Sequence, residues 1–408
     1  MNADSVLQRL RWCSTGVAVA IAMFLFQSVM AQTRLPGEVI IPSHGRLIGV
    51  SSVPTVTEIL ETVENPSVMT VLTGLFMGEP GHLFGPRWSN SSDVVACLRC
   101  DLSEGTRKVV LRGLHRPSFR HWISVPLEGT GSFENIPIWR DGGQPFLLFT
   151  SSDARKRRKQ IGPATQIYEQ AVLRDSTDVL ASEDRFLDHL HAVSAGAAKR
   201  LVYRAGQELI LASLIDGELQ RESLGEGIEA RLSPRGDIVA MVREARDGGE
   251  YRLLARHILT GKEKQLDRRQ TTIRNPRYSH DGRLLAYFAR SNAQAWWDLF
   301  VVALAGHGAP RLLSQQVHVS DALHHLGPAW SRHSRVVWTF AVSGSTAHRT
   351  LQFTDLATQE STQVPLPEEL TTPASPAVHP HPNIPMVAFA GHTGESRDIF
   401  VAVLNRMP

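Results

Sequence analysis

The sequence predicts an all-β protein, a β-propeller of four-stranded blades, and three observations carry that prediction. A phrase of short strand, tight turn and more apolar strand recurs as Ala230-Arg-Leu-Ser-Pro-Arg-Gly-Asp-Ile-Val-Ala, Pro276-Arg-Tyr-Ser-His-Asp-Gly-Arg-Leu-Leu-Ala, Pro328-Ala-Trp-Ser-Arg-His-Ser-Arg-Val-Val-Trp and Pro376-Ala-Val-His-Pro-His-Pro-Asn-Ile-Pro-Met-Val-Ala. These copies stand 46, 52 and 48 residues apart, a blade-length period. Gly and Pro are spread along a chain without long helical periodicity, which favours one continuous β body.

Each part of the repeat has a physical reason. Proline at the head fixes φ and lacks a donor, so it suits the first residue of a strand. Arg235-Gly236 and Asp281-Gly282 supply the positive φ that a tight hairpin demands, and Ser279 and Asp281 can hydrogen-bond the turn backbone. The runs that follow, Leu284-Leu-Ala-Tyr-Phe-Ala and Val336-Val-Trp-Thr-Phe-Ala, are apolar on both faces, as expected of strands sandwiched between neighbouring sheets. Further strands extend each unit: Tyr251-Arg-Leu-Leu-Ala-Arg-His-Ile-Leu, Asp298-Leu-Phe-Val-Val-Ala-Leu and Asp398-Ile-Phe-Val-Ala-Val-Leu.

Weaker copies start at Ile40, Pro86, Pro137 and His191, so the anchors fall at 40, 86, 137, 191, 230, 276, 328 and 376. Eight blades is the expected count, and seven is the alternative if the copy at 40 or at 191 is no true unit. The last unit lacks room for a full outer strand before Pro408. A segment around Thr33 to Val39 is expected to supply that strand and close the ring, which removes an open sheet edge.

Arg9 and Arg11 precede an apolar run from Gly16 to Phe26, and Val29-Met30-Ala31 offers small residues at a cleavage site. A secretory signal peptide is expected over 1–31 and a single propeller domain over 32–408, with an uncleaved anchor as the alternative. The apolar run is too short for a membrane span, so none is expected in the mature chain. That mature chain carries 41 basic and 39 acidic side chains, a balance that gives no reason to expect nucleic acid as a partner.

Ser233-Pro-Arg-Gly-Asp237 and Ser279-His-Asp-Gly282, each followed by an apolar strand and then, at Asp298 and Asp398, by Asp-Leu-Phe-Val or Asp-Ile-Phe-Val, resemble the WD40-like (PD40) repeats of TolB-type propellers. The resemblance is firm over 228–404 and implies a propeller in a periplasmic or secreted setting, acting as a non-enzymatic scaffold for a protein or cell-envelope partner. TolB-type proteins carry an α/β domain ahead of the propeller, for which a first repeat near Ile40 leaves no room. The prolyl-oligopeptidase kind adds a hydrolase domain with a Gly-x-Ser-x-Gly elbow, a motif absent here. Oligogalacturonate lyases also resemble this repeat pattern and hold a metal with propeller histidines, which implies a second reading: a metal-dependent polysaccharide lyase or a glycan-binding propeller.

Candidate site residues follow from these classes. Trp296-Trp297 breaks the repeat and is a candidate partner or sugar contact, whereas Trp88, Trp139 and Trp330 recur two residues after the repeat proline and are expected to pack between blades. The run Arg155-Lys-Arg-Arg-Lys159 offers Arg157 and Arg158 to an anionic glycan or lipid. No cofactor is expected on the scaffold reading. On the lyase reading His379 and His381, in the turn position that other copies fill with Ser-x-Asp, are candidate ligands for a divalent metal ion. Cys97-Leu-Arg-Cys100 is the one cysteine pair of the mature chain, and a local disulfide is the leading expectation in an oxidising compartment.

Overall fold

The computed structural model describes residues 39–40, 46–49, 70–73, 82–88, 94–101, 106–113, 120–125, 138–140, 146–152, 165–171, 177–185, 187–195, 198–244, 249–269, 272–290, 296–306, 308–317, 327–331, 336–343, 348–359, 361–365, 378–380, 386–393 and 396–403. All regular structure among the described residues is β. Residues 1–31, where a signal peptide is expected, lie outside them, and among the described residues no helix is long and apolar enough to cross a membrane.

The sheets follow the repeat. Strands β1 (Val39–Ile40), β2 (Arg46–Gly49) and β3 (Thr70–Thr73) come first. Then β4 (His82–Trp88), β5 (Val94–Asp101), β6 (Thr106–Gly113) and β7 (Arg120–Val125) form an antiparallel sheet in sequence order. The same meander is made by β8 (Ile138–Arg140), β9 (Phe146–Ser152), β10 (Thr165–Ala171) and β11 (Thr177–Glu183), and by β12 (Leu187–Ala195), β13 (Ala198–Ala205), β14 (Glu208–Ile215) and β15 (Glu218–Glu226). It is made again by β16 (Glu229–Leu232), β17 (Ile238–Glu244), β18 (Tyr251–His257) and β19 (Glu263–Arg269). The set β20 (Thr272–Tyr278), β21 (Leu284–Arg290), β22 (Trp297–Ala303) and β23 (Arg311–Val317) joins the set β24 (Ala329–Trp330), β25 (Val336–Ser343), β26 (His348–Asp355) and β27 (Ser361–Pro365) through the pair Val317↔Ala341. The chain finishes with β28 (Val378–Pro380), β29 (Met386–Thr393) and β30 (Ser396–Val403).

The final sheet corrects two expectations. Its outer partner is β3, which pairs antiparallel with β30, so the strand beside β30 comes from Thr70–Thr73; of the expected Thr33–Val39 segment only Val39 is described, at the far edge of the same sheet. The copy at Ile40 does form a hairpin, Val39↔Ile48 and Ile40↔Leu47, but β2 then runs parallel to β3. That hairpin extends the edge of the sheet that carries the last repeat and starts no sheet of its own. Pairing backbone groups on an existing edge satisfies them at once, whereas two short strands cannot build a separate sheet with a buried face.

The strands that open the repeats touch one another in succession: β4 with β8, β8 with β12, β12 with β16, β16 with β20, β20 with β24, β24 with β28, and β28 with β4. The core lies between consecutive sheets. On β13, Leu201, Tyr203 and Ala205 pack with Leu148, Ile167 and Ala181 of the preceding sheet, while Val202 packs with Ala230, Val239 and Met241 of the next. On β17 the alternate residues Ala240 and Val242 turn towards Leu285 and Tyr287 of the sheet after it. Period-two alternation explains why these runs carry no polar face: both faces meet a neighbour.

Turn chemistry agrees with the sequence. Gly236 and Gly282 have φ of 69° and 72°, a region open to glycine and costly for residues with a Cβ. The Ser279 hydroxyl donates to Asp281 Oδ1 at 2.6 Å and accepts from the Leu284 amide at 2.9 Å. In the preceding copy Ser233 donates to Asp237 Oδ1 at 2.6 Å, although that aspartate follows the glycine instead of leading it.

Candidate functional site

The structure separates the two tryptophans of the predicted contact. Trp297, 3% exposed, opens β22 within the core that also holds Phe288, Leu299 and Trp330, and the Arg290 guanidinium lies 4.5 Å over its ring. Burial rules it out as a partner contact and makes it a packing residue, so half of that expectation is corrected. Trp296 is 38% exposed. Trp88 and Trp330 are buried, and the Trp330 indole N–H donates to the Arg277 carbonyl at 2.9 Å, tying consecutive repeats together. Arg157, Arg158 and His381 lie outside the described residues.

The other predicted positions shift in meaning. Cys97 and Cys100 sit three residues apart on the unbroken strand β5, paired with Val110 and Arg107. An extended strand rises ~3.3 Å per residue, so their Cα atoms stand ~10 Å apart, beyond the ~7 Å limit for a disulfide. The local disulfide is therefore corrected. His379 is no turn residue: it lies on β28, opposite Ala388. Among the described residues no group of three or more His, Cys, Asp and Glu could hold a metal ion.

The backbone pairing that moves His379 also reveals a site. Along the repeat-opening strands one register position recurs opposite the apolar run of the following strand: Arg87↔Ala96, Ile138↔Leu148, His191↔Val202, Arg231↔Ala240, Arg277↔Ala286, Ala329↔Trp338 and His379↔Ala388. Three of these positions are arginine and two are histidine. Arg87 belongs to a sheet that does not adjoin those of Arg231 and Arg277. Even so, Arg87 acts electrostatically on both, and Arg231 and Arg277 act on each other. Their guanidinium groups are thus within electrostatic reach of one another across the space that the repeat-opening strands surround.

Local structure places these side chains. Before Arg87 and Arg277 the strand bulges, between Phe84 and Arg87 and between Arg274 and Arg277, with Gly85 and Asn275 at φ of 56° and 54°. A bulge re-aims the side chain that follows it. Both arginines then donate back to the carbonyl of the preceding proline at 3.3 Å. Gly327 leaves room for the stem of Arg277, since a Cβ there would lie 2.6 Å from Arg277 Cγ and 2.8 Å from the Asn275 carbonyl oxygen.

Electrostatics make this space basic. Burial pulls Arg87 down to about 10, and burial with Arg87 alongside pulls Arg231 to about 10 against the opposing pull of Glu229; both stay charged at neutral pH. Burial and then Arg231 and Arg87 hold Arg277 well below the ordinary arginine value. Arg231 is 5% exposed and has no hydrogen-bond partner among the described residues. Burial, followed by Arg231 and Arg277, pushes His191 well below its usual value, and its Nδ1 accepts from the Leu232 amide at 3.2 Å, which fixes a neutral ring with the proton on Nε2.

One carboxylate sits against the cluster. Glu229, fully buried two residues before Arg231, accepts the Asn275 amide through Oε1, while its Oε2 lies 3.7 Å from His189 Nδ1. Burial raises it above the ordinary carboxylate range; Arg274, the Asn275 amide, Arg231 and Arg277 pull the other way without overcoming burial. The arrangement can bind an oxyanion, because guanidinium groups recognise carboxylate and phosphate through charge-assisted hydrogen bonds. The sequence held a signal for it: the second residue of the copies at 86, 230 and 276 is arginine. Only pairing shows that His191 and His379 share that register.

No family model matches the chain, and no curated protein matches it. Solved structures do. An oligogalacturonate lyase from Vibrio parahaemolyticus superposes with a TM-score of 0.57 at 10% identity over 90% of this chain and 98% of that one. The β-propeller domain of the Trilobed protease from Pyrococcus furiosus superposes at 0.50 with 11% identity over 80% and 95%, and TolB from Acinetobacter baumannii more loosely, at 0.40 with 10% identity over 91% and 85%. At such identities the likeness is one of fold: the chain shares the β-propeller fold, built of four-stranded antiparallel sheets.

Proposed function

We propose that this chain is a seven-bladed propeller, secreted or periplasmic after removal of 1–31, that binds an anionic ligand, or the anionic part of a cell-envelope partner, in its central channel. The carrying observation is the convergence of Arg87, Arg231 and Arg277 from sheets on different sides of the ring. Seven repeat-opening strands in closed contact support the blade count. The role is recognition: a rigid scaffold presents charged groups at a shared register. The test is calorimetric titration of the purified protein with trigalacturonate and with inorganic tripolyphosphate. Binding weakened tenfold or more by Arg231→Met supports the channel, and binding that Arg231→Met leaves unchanged overturns it.

A lyase is the second reading, favoured by the extent of the match to an oligogalacturonate lyase and by His379 at the register of the arginines. In that reading His379 and His381 would hold a divalent metal ion, which would acidify the proton beside a uronate carboxylate. Stoichiometric metal in the purified protein, lost in His379→Ala, together with ultraviolet absorbance from an unsaturated product of oligogalacturonate, would establish it. Trp296 at the surface and the 155–159 run remain candidate contacts for a larger partner.

A further inference from the structure

We infer that an anion entering among Arg87, Arg231 and Arg277 binds together with a proton that is held on Glu229. The inference rests on the anion-binding reading of the channel and adds the charge bookkeeping that reading requires.

Glu229 already occupies the electrostatic place of a bound anion. Its carboxylate acts on both Arg231 and Arg277 and is itself acted on by Arg274. It is fully buried, and Oε2 accepts no hydrogen bond among the described residues. A second anion beside an ionised Glu229 meets like-charge repulsion in a poorly solvated space, where such repulsion is strong. Two carboxylates that share a site resolve this by keeping one proton between them. Oε2 is the atom that can take the proton, and His189 Nδ1 faces it at 3.7 Å.

The charged and titratable groups around Glu229 are His189 and His191 from β12, Arg231 on its own strand, Arg274 and Arg277 from β20, and Arg87 acting through Arg231 and Arg277. Arg87 and Arg231, held at about 10, keep their charge at neutral pH. His191 stays neutral there, since it is held well below its usual value. Glu229 is displaced upwards, so its protonated fraction grows as pH falls through a value above the ordinary carboxylate range. Anion affinity therefore rises as pH falls. By linkage, the anion raises the proton affinity of Glu229 by the same factor as the proton raises that of the anion.

Trigalacturonate is the suitable probe, because its carboxylates stay ionised from pH 5.5 to 8 and contribute no titration of their own. Calorimetric titration of the full-length mature protein at one pH, in buffers of different ionisation enthalpy, reads the number of protons taken up per anion. Wild type is expected to take up a proton, with affinity falling towards a limit of about tenfold per pH unit as pH rises. In Glu229→Gln, which keeps the Oε1 acceptor for Asn275, uptake vanishes and affinity becomes flat with pH. His189→Asn suits the left-handed backbone there (φ 54°) and is expected to keep the uptake. Wild-type binding without proton uptake overturns the inference and needs no variant to do so; uptake that persists in Glu229→Gln or is lost in His189→Asn also overturns it. Those results leave the channel reading intact, provided Arg231→Met still weakens binding tenfold or more, whereas an Arg231→Met protein that binds normally removes both.

Discussion

The sheet-facing positions of β13, β17 and β21 and the register position held by Arg87, Arg231 and Arg277 lie within about ten residues of one another in each repeat, yet they follow different rules. Sheet-facing positions are filled alike from copy to copy: Leu201, Val239 and Leu285, or Tyr203 and Tyr287, all buried between neighbours. The tyrosines even repeat their hydrogen bond. Tyr203 donates to Glu183 and Tyr287 to Asp267, each acid standing on the outer strand of the preceding sheet and each beside an arginine, Arg221 or Arg269. The register position instead runs from arginine through histidine to Ile138 and Ala329. Packing between sheets imposes one answer, because volume and burial are the same in every copy. The central space imposes none, so the residue there varies from copy to copy, and the proposed anion site is built on that freedom.

This contrast can be broken from the packing side first. Tyr287→Ala removes a fully buried ring between two sheets and is expected to cost about 3–5 kcal/mol in denaturant unfolding, with anion affinity unchanged in whatever protein stays folded. The next effect has the opposite character. Arg231→Met should weaken trigalacturonate binding by about 1.5–3 kcal/mol, the worth of a charge-assisted hydrogen bond, while chemical unfolding shows equal or higher stability because like-charge crowding with Arg87 and Arg277 is relieved. A loss of stability as large as that of Tyr287→Ala would place Arg231 with the packing residues. Gly327→Ala forces a Cβ against the Arg277 stem and the Asn275 carbonyl. It should destabilise by about 1–3 kcal/mol and also weaken binding several-fold, since Arg277 must move. The smallest change is a gain: Ala329→Arg adds a guanidinium at the same register, and calorimetry should show trigalacturonate affinity improved by about 0.5–1 kcal/mol at low salt, shrinking as salt is added.

Much of the fold was legible because the repeat carries its own physics. Pro276, Ser279, Asp281 and Gly282 announce a strand start and a turn, and the Ser–Asp hydrogen bond is where the turn chemistry puts it. The doubly apolar run after the turn announced burial on both faces. The ends were harder. A hairpin at Ile40 looks like another unit because its residues form a hairpin equally well anywhere, and only the pairing of Thr70–Thr73 with β30 shows which edge it joins. The candidate site was legible only as arginine in the second position of three copies, Arg87, Arg231 and Arg277, and an arginine beside a turn is ordinary until its neighbours across the ring are known. Trp296-Trp297 stood out because two tryptophans break a pattern, but one of them is core. His379 was placed in a turn because sequence alignment counts residues, whereas hydrogen-bond register counts strand positions.

By itself, then, the sequence determined an all-β chain of repeated strand–turn–strand units, because turn residues and two-sided apolar strands are local signals that need no partner to be recognised. It also determined that arginine recurs in three of those units. The tertiary structure decided which segment completes the last sheet, which tryptophan is buried, and which charged residues meet. Those are questions of distance between segments far apart in the chain, more than 300 residues for Thr70 and Val403, and charge acts through space: Arg87 and Arg231 become neighbours only when the sheets are arranged around a common centre.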